Sequence, residues 1–211
     1  MIIKDKKILV LAPHTDDMEF GCGGTIAKLI DDGNEVYCAT FSACEQSVIK
    51  DFPKDILITE VKNATRVLGL PNENLFLYKY EVRTFNYRRQ EILEDLINLR
   101  KNIAPDIIFM PALNDIHQDH STIAQEGLRA FKMQTIFCYE MIWNNISFNT
   151  SCFFSLNSQQ LECKILALKE YKSQAHRPYA SEDFIKSLAK VRGTQIGIDY
   201  AECFELLRIR F

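Results

Sequence analysis

No run of apolar residues in the 211-residue chain approaches the roughly 20 needed to span a bilayer. Nor is there a block of lysine and arginine: 25 basic and 28 acidic residues leave a formal net charge of −3. That balance argues against a nucleic-acid or anionic-membrane surface, because counterion release needs clustered cations. The N-terminus, Met1-Ile2-Ile3-Lys4-Asp5-Lys6-Lys7, lacks the long apolar core and small-residue cleavage site of a secretion signal. No CxxC pair occurs among the seven cysteines (22, 38, 44, 138, 152, 163, 203), which are odd in number and scattered. Several sit in apolar runs, as in Tyr37-Cys38-Ala39 and Phe137-Cys138-Tyr139. They read as reduced, mostly buried thiols of a cytoplasmic protein. The sequons at Asn63, Asn145 and Asn149 then carry no meaning. No repeat, low-complexity tract or linker divides the chain, so residues 1–211 read as one domain. Nothing in the sequence excludes a homo-oligomer.

What is present is an ordinary globular composition, 47% hydrophobic and 25% charged. Lys7-Ile8-Leu9-Val10-Leu11-Ala12-Pro13 is nearly all apolar, the pattern of a strand covered on both faces. A Gly-rich turn is expected next, then a helix from Thr25 to Asp32 that Gly33 can cap. Further strands are expected at 35–41, 75–80, 106–111 and 135–141, separated by helices at 55–68, 88–102 and from about Ser121. Ile92, Leu93, Leu96, Ile97 and Leu99 fall on or near one helical face. The remainder offers weaker strands around Phe153-Phe154 and Phe204–Ile209, and helices near 159–171 and 182–192. This alternation predicts an α/β, Rossmann-like three-layer fold: a mostly parallel sheet with helices on both faces, joined by right-handed crossovers.

In such a sheet, ligands bind beyond the carboxyl ends of the strands. Two polar clusters fall there. His14-Thr15-Asp16-Asp17-Met18-Glu19 follows the first strand, and Asn114-Asp115-Ile116-His117-Gln118-Asp119-His120 follows the fourth. Three of the four histidines in the chain lie in these two loops. Loops are polar anyway, and a single histidine there is most often incidental. Two clusters of imidazole and carboxylate at equivalent strand ends are a different matter, since a hydrolytic zinc site needs three nitrogen or oxygen ligands and an open position.

The stretch Pro13-His14-Thr15-Asp16-Asp17-Met18-Glu19-Phe20-Gly21-Cys22-Gly23-Gly24-Thr25 resembles the PHPDDxExGCGGT signature of the LmbE-like (PIG-L) family. Asp115-Ile116-His117-Gln118-Asp119-His120 is similar to its later DxHxDH signature. Tyr171-Lys172-Ser173-Gln174, Arg192-Gly193 and Tyr200-Ala201-Glu202-Cys203-Phe204 resemble its C-terminal motifs, so the likeness spans nearly the whole chain. The resemblance implies a metal-dependent N-deacetylase with one Zn2+ per subunit, ligated by His14, Asp17 and His120. It makes Asp16 the general base on water activated by the metal. His117 becomes the group that stabilises the oxyanion or protonates the leaving amine, with Asp119 orienting it. The chemistry is coherent, because zinc brings the pKa of water to about 7, where a neighbouring carboxylate can take the proton. Iron or cobalt also suits two histidines and an aspartate. Glu19 reads equally as a second partner of the site or as a favourable charge at a helix start.

Gly21-Cys22-Gly23-Gly24 is not a dinucleotide fingerprint. Ile26 stands where GxGxxG needs its third glycine, and acidic residues precede it where a pyrophosphate would be repelled. The glycines suit a tight turn or a helix packed close to the sheet. Thr15 replaces the family's common proline, with the flanking ligands intact. Leu57 stands where the family pattern R-x-x-E-x-x-x-A-x-x-x-L-G has its arginine, while Glu60, Ala64, Leu68 and Gly69 fit. Substrate contacts must then come from elsewhere: Arg83, Arg88 or Arg89, or Tyr139, Glu140 and Trp143 after the fifth strand. Each has a plainer reading, the arginines as the charged face of a helix and the aromatics as packing anchors. His176 reads as a surface residue.

The implied substrate is a small-molecule N-acetylated sugar, resembling N-acetylglucosamine, free or linked to a nucleotide, lipid or glycan. Alternatives are an amidase acting on an N-acyl cysteinyl sugar conjugate and a sugar-binding protein of the same fold without turnover. Asp16 weighs against the latter, which needs no base. A structural zinc site is excluded by the absence of a closed, cysteine-rich shell.

Overall fold

The computed structural model describes residues 3–210. Seven strands form one sheet in the order β3-β2-β1-β4-β5-β7-β6. They are β1 (Lys7–Ala12), β2 (Glu35–Thr40), β3 (Leu75–Leu77), β4 (Ile107–Pro111), β5 (Thr135–Tyr139), β6 (Cys152–Leu156) and β7 (Tyr200–Arg208). β1 to β5 run parallel, and β7 and β6 close one edge antiparallel. The mostly parallel, Rossmann-like sheet expected from the alternation of elements is borne out.

Alternation along β1 shows why its sequence is apolar from Ile8 onward. Ile8, Val10 and Ala12 enter the core on one face, with Met18 and Ile26 of α1 (Asp17–Asp31), Val61 of α2 (Ile56–Val67), Ile165 of α5 (Ser158–Lys169) and Ile185 of α6 (Glu182–Gln195). Leu9 and Leu11 enter the other, with Leu96 of α3 (Arg89–Ile103) and Ile123 of α4 (Gln118–Ala130). Helices therefore cover both faces.

Two helices begin earlier than the sequence suggested. α1 starts at Asp17, not Thr25, and the glycines lie inside it. A Cβ on Gly21 would meet the Tyr139 ring at 2.4 Å, and one on Gly24 would meet Leu156 at 2.6 Å. The glycines are thus there for close packing against the sheet, and the backbone breaks only at Cys22 (φ −151°, ψ 18°). The break is held by a buried ion pair. Lys164 Nζ takes the carbonyl of Phe20 at 2.7 Å, at the end of the first helical segment. Glu202 on β7 accepts from the backbone N–H of Gly24 (3.1 Å) and Thr25 (2.6 Å), at the start of the second. The two side chains meet at 2.6 Å. Each charge thereby faces the end of a helix dipole that favours it.

α4 starts at Gln118, ahead of the expected Ser121. His117 is its N-cap: the imidazole Nδ1 accepts the Asp119 N–H at 3.2 Å. His120 therefore sits in the first helical turn.

Candidate active site

The sheet order places β1 between β2 and β4, so the chain leaves β1 to one side and returns on the other. At such a switch point the loops beyond the strand ends diverge and leave a crevice. The loop after β1 and the loop after β4 face each other there, which brings together two motifs about 100 residues apart in sequence.

His14, Asp17 and His120 converge. His14 Nδ1 lies 3.1 Å from His120 Nε2 and 3.3 Å from Asp17 Oδ2, and His120 Nε2 lies 3.2 Å from that same oxygen. The outer nitrogen of each ring is engaged by a carboxylate. His14 Nε2 meets Asp119 Oδ2 at 3.1 Å, and His120 Nδ1 meets Asp115 Oδ2 at 2.8 Å. These partners keep the outer nitrogens protonated and leave the inner ones free to bind an ion. His14, His117 and His120 also form a cluster whose ring nitrogens lie within 4.8 Å of one another. The closer spacing belongs to the trio that includes Asp17. Donors about 2.0–2.1 Å from a tetrahedral ion lie about 3.3 Å apart, which the His14–Asp17–His120 triangle matches. His117 is the outer member.

Electrostatics point the same way. Burial alone would lower the His120 imidazole, but Asp17 and Asp115 outweigh it and raise its pKa to about 10. Burial would raise Asp17, yet His120 and His14 hold it well below the usual carboxylate range. The centre of the triangle thus favours positive charge. Burial, reinforced by Asp17, raises Asp16 to about 6. His117 is lowered to about 4, by burial first and then by repulsion from His14 and His120. It is a neutral imidazole at pH 7, and because Nδ1 accepts from the backbone its proton sits on Nε2.

Asp119 does not orient His117 through its carboxylate. That group is committed to His14 and to the backbone N–H of Arg83 (2.6 Å) and Phe85 (3.4 Å). Only its own N–H touches His117. Arg83 holds a left-handed backbone (φ 69°), uncommon for a residue with a side chain, in making this bond.

A cavity of about 350 Å³ opens beside the triangle, bordered by Asp16 and His117, with Leu57, Val82 and Phe20 as an apolar wall. Of the candidate substrate contacts, Arg83 and Trp143 reach it. The others do not. Tyr139 is fully buried, its ring against Gly21 and its hydroxyl donating to the Leu11 carbonyl at 2.9 Å, so it is a core residue. Arg88 lies in a separate surface hollow, paired with Glu91 at 2.9 Å one turn along α3. Arg89 likewise turns away, to Glu126. Glu140 binds Arg192 of α6 through both carboxylate oxygens. His176 is exposed, as expected.

Sequence reasoning passed over Arg177 and Tyr179 and quoted Gln174 only as part of a motif; the three complete the cavity. Their segment is fixed from two sides. Glu60 of α2 accepts from Ser173 N (3.0 Å) and Oγ (2.6 Å), and Tyr171 donates its hydroxyl to the Thr15 carbonyl at 2.6 Å. Tyr179 stacks on Trp143 with ring centres 3.9 Å apart, forming an aromatic wall. Asp115, quoted only as part of a motif, proves to be the partner of His120.

The sequence profile of the PIG-L family, described as GlcNAc-PI de-N-acetylase, matches residues 9–131. The chain belongs to the PIG-L family. A relative in Escherichia coli K12, the uncharacterized deacetylase YaiS, is 28% identical over 177 residues, covering 81% of this chain and 92% of that protein. The N,N'-diacetylchitobiose deacetylase of Pyrococcus horikoshii has a similar fold (TM-score 0.75, 23% identity, 96% of this chain and 84% of that one). So has the 4-carboxy-2-hydroxymuconate hydratase GalB of Pseudomonas putida KT2440 (TM-score 0.77, 16% identity, 98% of each chain). The fold hosts more than one chemistry, so function in this PIG-L member has to be argued from its site.

Proposed function

We propose that this protein hydrolyses the N-acetyl amide of an N-acetylglucosamine-like sugar, using one zinc ion held by His14, Asp17 and His120. The observation that carries the reading is the triangle itself: three donor atoms at tetrahedral spacing, with both imidazoles oriented by buried carboxylates. The donor set, two neutral nitrogens and a carboxylate with a cavity on the open side, suits a catalytic rather than a structural zinc.

Bound zinc supplies a Lewis acid and brings the pKa of water to about 7. The remaining work falls to side chains. Asp16, at the cavity and raised to about 6, accepts the proton of the attacking water and returns it to the departing amine. His117, neutral and carrying its proton on Nε2, donates a hydrogen bond to the amide oxygen as negative charge develops there. It acts as a hydrogen-bond donor and not as a protonated acid. Trp143 and Tyr179 offer a flat surface to the sugar ring.

Acetate release from N-acetylated sugars by the zinc-loaded protein is the direct test. Asp16→Asn should keep fold and metal but lose about 10²- to 10⁴-fold in turnover, since an amide cannot accept the water proton. Asp17→Asn should lose metal as well. An Asp16→Asn protein that keeps most of its turnover would refute the assignment of the base.

A further inference from the structure

We propose that Arg192 and Phe184 of α6 are positioning residues, which together hold the Trp143–Tyr179 wall at the angle from which it receives a sugar ring. The inference rests on the deacetylase reading for what lies against the wall. Trp143 stands half-buried in the turn after β5, and the Tyr179 ring lies 3.9 Å from its own at an angle of 11°. Phe20 meets both rings edge-on, at 5.3 Å and 5.4 Å, and sets one border of the pair.

The support behind the wall comes from α6. Phe184, Leu188 and Arg192 stand four residues apart, which places them on one stripe of that helix. The stripe faces the wall, since all three residues border a cavity of about 30 Å³ together with Phe20 and Trp143. At one end the Phe184 ring lies 6.2 Å from Trp143, centre to centre, tilted by 52°. At the other end Arg192 meets Glu140 through both carboxylate oxygens. Glu140 directly follows β5 and precedes Trp143 by three residues, so the ion pair fastens the root of the turn while Phe184 props its tip. The side chains of the pair are 7% and 14% exposed, so water is a poor substitute for either partner. Gly193, the next residue, lets α6 close onto the start of β7, where a Cβ would come within 2.7 Å of the Asp199 backbone. Arg192-Gly193 thus seats the helix against two neighbouring strands. The cavity between α6 and the wall leaves the rings space to fall back once a support is removed.

An aromatic platform binds ground and transition states alike, so disturbing it raises KM and spares kcat. Trp143 is the only tryptophan of the chain, and its fluorescence reports the wall directly. The test compares Arg192→Met, Arg192→Lys and Phe184→Ala with wild type, all zinc-loaded and well below their melting temperatures, with N-acetylglucosamine as the probe. Arg192→Met and Phe184→Ala should each expose Trp143 to acrylamide quenching and raise KM by about 10-fold with kcat within about 2-fold. The sugar concentration that half-saturates the change in Trp143 emission should rise with KM. Arg192→Lys, which keeps a charge for Glu140, should recover part of the loss. Because both residues act through one ring, the double variant Phe184→Ala/Arg192→Met should be little worse than its more severe single. Should Arg192→Met fail to fold, Phe184→Ala carries the same readings alone, since its ring is only half-buried. Variants that melt lower yet keep wild-type quenching and KM would overturn the proposal, leaving α6 a structural helix. A fall in kcat at constant KM would overturn it as well. An emission response to the sugar that depends on Phe184, with no acetate released, would uphold the wall and overturn the deacetylase reading. Acetate release with KM and emission indifferent to both residues overturns the wall alone.

Discussion

Replacing Glu202 by alanine should be among the most damaging single changes outside the catalytic cluster. Its carboxylate meets three donors, the N–H groups of Gly24 and Thr25 and the Lys164 ammonium, and the side chains of the ion pair are only 7–8% exposed. Removing it strands a buried ammonium and two amides at the start of the second half of α1. Breaking a buried pair from one side typically costs about 3–5 kcal/mol. For a chain of this size, 1 kcal/mol moves Tm by about 2–4 °C, so Glu202→Ala should melt about 6–20 °C lower. Lys164→Met should cost less, because the carboxylate keeps its two backbone donors. The double variant Lys164→Met/Glu202→Ala buries no charge, so its loss should fall short of the summed single losses by at least about 1 kcal/mol. Thermal and urea unfolding of wild type, both singles and the double complete the cycle. Losses that simply add, or a Glu202→Ala protein melting within about 2 °C of wild type, would refute the idea that this pair secures the kink.

Two other outcomes follow from the charges around the site. Raised His120 and His14 must give up protons facing Asp17 before an ion enters, so zinc binding should release about one to two protons and weaken as pH falls. Calorimetry in buffers of different ionisation enthalpy measures this, and Asp115→Asn should reduce affinity about 10- to 100-fold by freeing the outer nitrogen of His120. Glu19 is fully buried with neither carboxylate oxygen hydrogen-bonded, and burial pushes it up from 4.5 to about 8. It is protonated in the folded state and ionised in the unfolded chain at neutral pH. Stability from this group is therefore complete below pH 4.5, declines as pH rises towards 8, and levels off beyond. Glu19→Gln should flatten that decline in urea unfolding between pH 5 and 8.5; an unchanged slope would mean the folded protein carries Glu19 ionised.

Much of the sheet was legible because a strand buried on both faces is apolar at nearly every position, as β1 after Lys7 and all of β4 are. The site clusters were legible because imidazoles are scarce and lie at strand ends. The start of α1 was not, since a glycine required by the Tyr139 ring across the core looks the same, locally, as a glycine in a turn. The start of α4 was missed because histidine is not among the usual N-cap residues. Tyr139 ends β5 and Trp143 lies in the loop after it, so pleat and loop send one into the core and the other to the cavity. Arg177 escaped notice because its placement depends on Glu60 and Ser173, residues 113 positions apart.

The cavity is assembled from two stretches of chain with different duties. The pole we propose to be reactive, residues 14–17 and 117–120, lies within the region 9–131 that matches the family, and Trp143, Gln174, Arg177 and Tyr179 lie beyond it. Exchanging the later stretch between relatives should therefore transplant preference for one acceptor over another while the hydrolytic step stays in place. The anchoring contacts at Glu60 and Thr15 mark the joints where such a graft has to fit.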